Sequence, residues 1–92
     1  MAIPHLRPDP DVVARRLEDE VVLVNLRTNR IYSLNRTGAR FWELLAEGNE
    51  RAAIEQRMLE EFDVREDELA GEVDELLADL ADAGLVTAAG PS

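Results

Sequence analysis

Arg30-Ile31-Tyr32-Ser33-Leu34-Asn35-Arg36-Thr37-Gly38-Ala39-Arg40-Phe41-Trp42-Glu43-Leu44-Leu45 is the turning point of the chain. A strand of alternating character runs across a polar hinge into an amphipathic helix. Ile31 and Ser33 fall on one face of that strand, Tyr32 and Leu34 on the other. Asn35 suits an N-cap, because its side-chain oxygen can accept one of the N–H groups that the first helical turn leaves unpaired. Phe41, Trp42, Leu44 and Leu45 then supply the apolar stripe of a helix over Arg36–Ala46. Gly48 follows it, suited to the left-handed position just past a helix end.

Upstream, Arg27-Thr28-Asn29 makes a tight connection in which Asn29 tolerates positive φ. Residues 21–26 are nearly all apolar, as expected of a central strand covered on both faces. Glu18-Asp19-Glu20 is a polar turn, and Val12–Leu17 reads as a first strand. Pro4, Pro8 and Pro10 make residues 1–11 an expected flexible arm.

Downstream, Asn49 is positioned to cap a second helix over residues 50–62, with Ile54, Met58 and Phe62 repeating at four-residue spacing. A third helix over 66–83 opens on Glu66, Asp67 and Glu68, which complement the positive end of its dipole. Leu69, Val73, Leu76, Leu77 and Leu80 form its stripe, and Gly84 ends it. Leu85 and Val86 fold back on the core, and residues 87–92 read as a flexible tail. Three strands followed by three helices predict an α+β domain over 12–86. Its architecture is winged helix-turn-helix-like: an N-terminal three-stranded antiparallel meander, then helices.

Ninety-two residues make one domain. With no cysteine, disulfides, thiolate metal sites and thiol catalysis are excluded. No apolar run reaches the roughly 18 residues that span a bilayer, and no signal-peptide pattern opens the chain, so a cytoplasmic protein is expected. Charge is unevenly spread. Residues 1–40 carry seven Arg against five acids, whereas residues 41–92 carry three Arg against fifteen acids, giving the net −10. Such a C-terminal half repels polyanions and favours basic partners.

Catalytic chemistry has little to work with. His5 is the only histidine and lies in the proline-rich arm, Lys is absent, and the five glycines are scattered singly. No catalytic residue, metal site or cofactor site is therefore assigned. A winged-helix DNA-binding regulator is the alternative from another class. The third helix would then enter the major groove, yet Glu66, Asp67, Glu68, Glu72, Asp74, Glu75, Asp79 and Asp82 lie on it without one base. Phosphate neutralisation supplies most non-specific affinity, so that surface repels DNA.

Tyr32-Ser33-Leu34-Asn35-Arg36-Thr37-Gly38-Ala39, followed by Phe41-Trp42-Glu43-Leu44-Leu45 and Gly48, resembles the pyrroloquinoline-quinone-biosynthesis D (PqqD-like) family. So do Phe62-Asp63-Val64, the run from Val73 to Leu80, and Gly84-Leu85-Val86. Arg65 departs from the pattern, standing where the family tends to have a capping acid. The resemblance implies a recognition element for ribosomally made, post-translationally modified peptides. Such a domain holds a precursor's leader segment and presents it to a processing enzyme. This chain is most similar to the free-standing members of lasso-peptide pathways, which act beside a separate leader peptidase of the cysteine protease type and a cyclase. A precursor chaperone in pyrroloquinoline quinone synthesis is the alternative within the family.

Residue-level physics adds a candidate surface. An edge strand at Arg30, Ile31, Tyr32, Ser33 and Leu34 presents unpaired N–H and C=O groups to an extended peptide. On the third helix Val73, Asp74, Leu76, Leu77 and Leu80 are the candidates for the other wall of a groove. Leu77 lies off the core-facing line, and Asp74 and Asp79 stand where basic leader side chains would meet the rim. Tyr32 and Trp42 are expected to pack inward. An exposed edge also permits self-pairing, so a monomer or weak dimer is expected.

Overall fold

The computed structural model describes residues 6–88. In chain order it contains β1 (Leu6–Pro8), β2 (Val12–Leu17), β3 (Glu20–Asn25), β4 (Arg30–Leu34), α1 (Arg36–Ala46), α2 (Arg51–Glu61), α3 (Glu66–Asp82) and β5 (Val86–Ala88). Strands β2, β3 and β4 form the expected antiparallel meander, with β3 central. Both turns use a left-handed residue, Glu18 at φ 53° and Asn29 at φ 62°.

Alternation along the strands decides which face meets the helices. Val21, Leu23 and Asn25 of β3 are buried, as is Leu34 of β4, and Tyr32 beside Leu23 is half-buried. On the opposite face Val13, Val24 and Ile31 stand in one cross-strand row. Val22 and Val24 are only half-buried there, so β3 is not covered on both faces as its apolar run suggested. On that face Val24 packs between Val13 and Ile31, while Val22 stands between Arg15 and Ser33, with no second layer over them among the described residues.

Local chemistry places the helices as read from the sequence. Asn35 accepts the Gly38 N–H at 2.9 Å and caps α1. Gly48 takes φ 98° just beyond its end. Asn49 differs from expectation: its amide donates to the Leu44 carbonyl at 2.9 Å, closing α1, while Glu50 occupies the cap position of α2. Three acids open α3, and it ends with Gly84 at φ 72° and the Leu85 N–H donating to the Leu80 carbonyl at 2.9 Å. Phe41, Trp42, Leu44, Ile54, Met58, Leu69, Val73 and Leu80 then meet Val21, Leu23 and Leu34 in one core.

A second, two-stranded sheet corrects the reading of the two ends. β1 pairs antiparallel with β5, Leu6 opposite Ala88 and Pro8 opposite Val86. The Asp9 N–H continues the ladder to the Leu85 carbonyl at 3.0 Å. The arm expected to be flexible over 1–11 thus contains a strand, as does the start of the tail expected over 87–92. Proline is compatible with a short strand when it stands at the strand's end and removes only one donor. Residues 1–5 and 89–92, including His5, lie outside the described residues.

Candidate functional site

The meander has two edges, and they differ. On β4, the register and one flanking bond reveal which backbone groups are open. The Leu26 N–H donates to the Asp11 carbonyl at 2.9 Å beside the Val12–Asn25 pair. In an antiparallel ladder that pattern turns the backbone groups of Val22 and Val24 toward β2, and those of Val21, Leu23 and Asn25 toward β4. Tyr32 and Leu34, opposite Leu23 and Val21, therefore spend their N–H and C=O groups on β3. Ile31 and Ser33 point theirs away from the sheet. No described strand pairs with that side of β4.

Beside β4 lies a cleft of about 220 Å³ between the start of α1 and one side of α3. Asn35, the residue following β4, lines it together with Thr37 and Gly38. Phe41, Met58, Leu69 and Val73 form an apolar floor, and Leu76 adds a half-buried side chain. Along α3, Glu72, Glu75 and Asp79 follow at intervals of three and four, so their carboxylates share one helix face. The cleft begins at the residue that follows the open edge strand, and no residue of β4 itself is in its lining. The other edge, β2, borders a smaller cleft of about 180 Å³ through Arg16, and there Arg16 and Arg40 pair with the lining acids Glu43 and Glu61.

One side-chain contact joins β4 to α3. The Tyr32 hydroxyl donates to Asp79 Oδ2 at 3.2 Å. Burial of the phenol, and then the neighbouring Asp79 carboxylate, hold the Tyr32 pKa above its ordinary value of 10.0, because both disfavour the phenolate.

The frame around the site is tied by specific polar bonds. Asn25 is fully buried; its Oδ1 accepts the Arg27 and Thr28 N–H groups at 2.9 and 3.3 Å, while its Nδ2 donates to the Gly84 carbonyl at 2.8 Å. It shapes the turn into β4 and fastens that turn to the end of α3. Arg40 grips Glu61 through two bonds of 2.8 and 2.9 Å, which raises the guanidinium pKa and lowers that of the carboxylate. Arg16 pairs with Glu43, tying β2 to α1.

The structure distributes the sequence candidates unevenly. Arg30, Ile31 and Ser33 are exposed on β4, Ile31 at 69 %. Tyr32 is half-buried, and Leu34 offers a guest neither side chain nor backbone, since the first is in the core and the second is paired with β3. On α3, Val73 and Leu76 line the cleft, whereas Leu80 is fully buried. Leu77 packs half-buried against the core without lining the cleft. Asp74 turns toward α2, where it pairs with Arg51 at 2.7 Å. Glu72 and Glu75 are the charged cleft residues that sequence reasoning passed over. Their three-residue spacing, continued to Asp79, was the available signal. Asn35, Thr37, Gly38, Phe41, Met58 and Leu69, read from the sequence as cap, hinge or core, also line the cleft.

Among the described residues no group of three or more His, Cys, Asp or Glu side chains is arranged to hold a metal ion. No described helix is long and apolar enough to cross a membrane.

Two solved structures share this fold. One is described as TbiB1 in complex with the TbiA(beta) leader peptide: 29% identity, 94% of this chain and 98% of that one covered, TM-score 0.83. The other is described as lasso peptide synthetase B1 complexed with the leader peptide. At 22% identity, with 90% and 98% covered and a TM-score of 0.81, its likeness is one of fold. No curated relative matches the chain. The model of the family described as coenzyme PQQ synthesis protein D (PqqD) matches residues 20–86, which runs from the first residue of β3 to the first of β5, and the chain belongs to that family.

Proposed function

We propose that this chain binds the leader segment of a ribosomally made precursor peptide, taking it as a fourth strand along β4. It presents that segment to the enzymes of lasso-peptide maturation, a separate leader peptidase of the cysteine protease type and a cyclase. The observation that carries the reading is the open backbone of Ile31 and Ser33 beside the cleft. Two residues spaced by two offer an extended guest a ladder of N–H and C=O groups, and the cleft receives its side chains. The likeness to TbiB1, whose complex holds a leader peptide, supports the guest.

The role is one of binding without catalysis, performed in the cytoplasm by a monomer or weak dimer. The contact is small, under about 1,200 Å², and the leader is ordered as it binds, so affinity falls between roughly nanomolar and micromolar. The family description favours the quinone-cofactor precursor as the second reading. DNA binding is disfavoured by the eight acids and absent bases of α3.

The test is calorimetric titration with two synthetic leaders, one from a lasso-peptide precursor and one from a pyrroloquinoline quinone precursor, with amide hydrogen exchange followed at Ile31 and Ser33. Binding of the first with slowed exchange at both amides is the expected result. Binding of the second alone moves the protein to the other pathway. Binding without protection of those amides, or none by either leader, defeats strand addition.

A further inference from the structure

Resting on the leader-binding reading, we propose that the cleft beside β4 selects a guest segment carrying a lysine or arginine next to an apolar side chain, with Glu72, Glu75 and Asp79 as the specificity-determining carboxylates.

The two walls of the cleft are chemically unlike. The α1 side is neutral, with Asn35 and Thr37, and the floor is apolar, with Phe41 and Val73. All of the charge sits on α3, and it is of one sign. Some helical acids are neutralised, Glu43, Glu55, Glu61 and Asp74 each pairing with an arginine. Glu60, Glu66, Glu68 and Asp82 stand unpaired among the described residues, on open surface away from the cleft. Arg51, the cation nearest in kind to serve α3, is committed to Glu55 and Asp74 on the side away from the cleft. Among the described residues, Glu72, Glu75 and Asp79 have no cation within ion-pair distance. Nor does α3 contain one to relieve them along its own face. Three like charges along one wall repel each other when the cleft is empty, and a cationic side chain removes that repulsion while a carboxylate would add to it.

Placement gives the charge an addressee. Tyr32 of β4 reaches Asp79, and Asn35 at the end of β4 lines the cleft. A guest paired along Ile31 and Ser33 therefore passes the α3 carboxylates as it leaves the strand. Its alternate side chains divide the work, since successive residues of a strand point to opposite sides. An apolar one reaches the floor, and a long cationic one lies along α3 with its methylenes on Leu76 and its head among the carboxylates.

The experiment is a selection from a phage-displayed library of random peptides against the full chain. Amide exchange at Ile31 and Ser33 is then measured with each selected peptide. Peptides that protect those amides are expected to carry Lys or Arg beside an apolar residue. Replacing that cation by Ala should weaken binding about fivefold, a difference that high salt erases. The same selection against the Glu72→Gln, Glu75→Gln, Asp79→Asn variant should still return strand-pairing peptides, now without the basic preference. The Asn retains an acceptor for Tyr32, and circular dichroism checks the fold. Strand-pairing peptides with no basic preference, or a preference that survives in the variant, overturn the charge assignment and leave strand addition standing. A selection in which no peptide protects Ile31 and Ser33 removes strand addition itself, and this proposal with it.

Discussion

The side-chain amide of Asn25 donates to the backbone carbonyl of Gly84 at 2.8 Å, joining residues that are 59 positions apart. That bond fastens the turn before β4 to the end of α3, so β4 and α3 are held to each other by one buried side chain.

Asn25→Ala should therefore be costly. It strands the Gly84 carbonyl and the Arg27 and Thr28 amides, and an unsatisfied buried group costs about 1–3 kcal/mol. A loss of about 3 kcal/mol in urea unfolding is expected, with leader affinity reduced even where the variant is folded. A loss below about 1 kcal/mol would show that the turn holds itself.

Ser33→Pro discriminates edge pairing from any other mode of contact. Its N–H faces away from β3, so proline removes the outward donor while leaving the meander's own ladder in place. Stability should fall by about 1 kcal/mol or less, through local distortion. Leader affinity should fall at least about tenfold, as one donor is lost and the strand no longer lies flat. Unchanged affinity in a folded variant would remove strand addition from the account.

Tyr32→Phe tests the contact between β4 and α3. The folded state raises the Tyr32 pKa, so the unfolded chain loses the phenolic proton first as pH rises. The associated stabilisation is complete below pH 10.0 and declines as pH climbs past that value toward the higher folded pKa. Urea unfolding at neutral pH should show a loss of about 0.5–1 kcal/mol for the partly exposed bond. Between pH 9 and 11 (about one unit either side of the ordinary tyrosine value) the variant should lose less stability than the parent. Parallel profiles would mean that the phenol feels neither its burial nor Asp79.

Gly84→Ala isolates backbone strain. The added Cβ would stand 3.8 Å from Asn25 Nδ2, an ordinary contact, but φ is 72°. The expected cost is about 1–2 kcal/mol from the left-handed conformation alone. Gly48→Ala, at φ 98° with open space around it, should show a comparable penalty and serves as the control. A Gly84 cost far above that of Gly48 would reveal a steric demand at the Asn25 bond.

Features that depend on near neighbours were legible in the chain itself. The Asn35 cap, the inward Tyr32 and Leu34, the stop at Gly84 and the meander with β4 at its rim follow from side-chain alternation, capping oxygens and tolerance of positive φ. Each involves residues within a few positions of one another. The strand pair β1–β5 was not legible. Leu6 meets Ala88 across nearly the whole sequence, and three-residue segments carry no periodicity from which to infer a partner. Rotation of α3 was likewise beyond local reading. A stripe of leucines names a buried face, but packing decides which flank looks into the cleft. Thus Leu76, Glu72 and Glu75 line it while Leu77 and Asp74 do not, because Arg51 and the core hold the helix at that angle. Sequence settled the elements and their order, since these rest on local propensity. Only the folded chain decided which backbone groups stay open and which charges face them, because both depend on contacts between residues far apart.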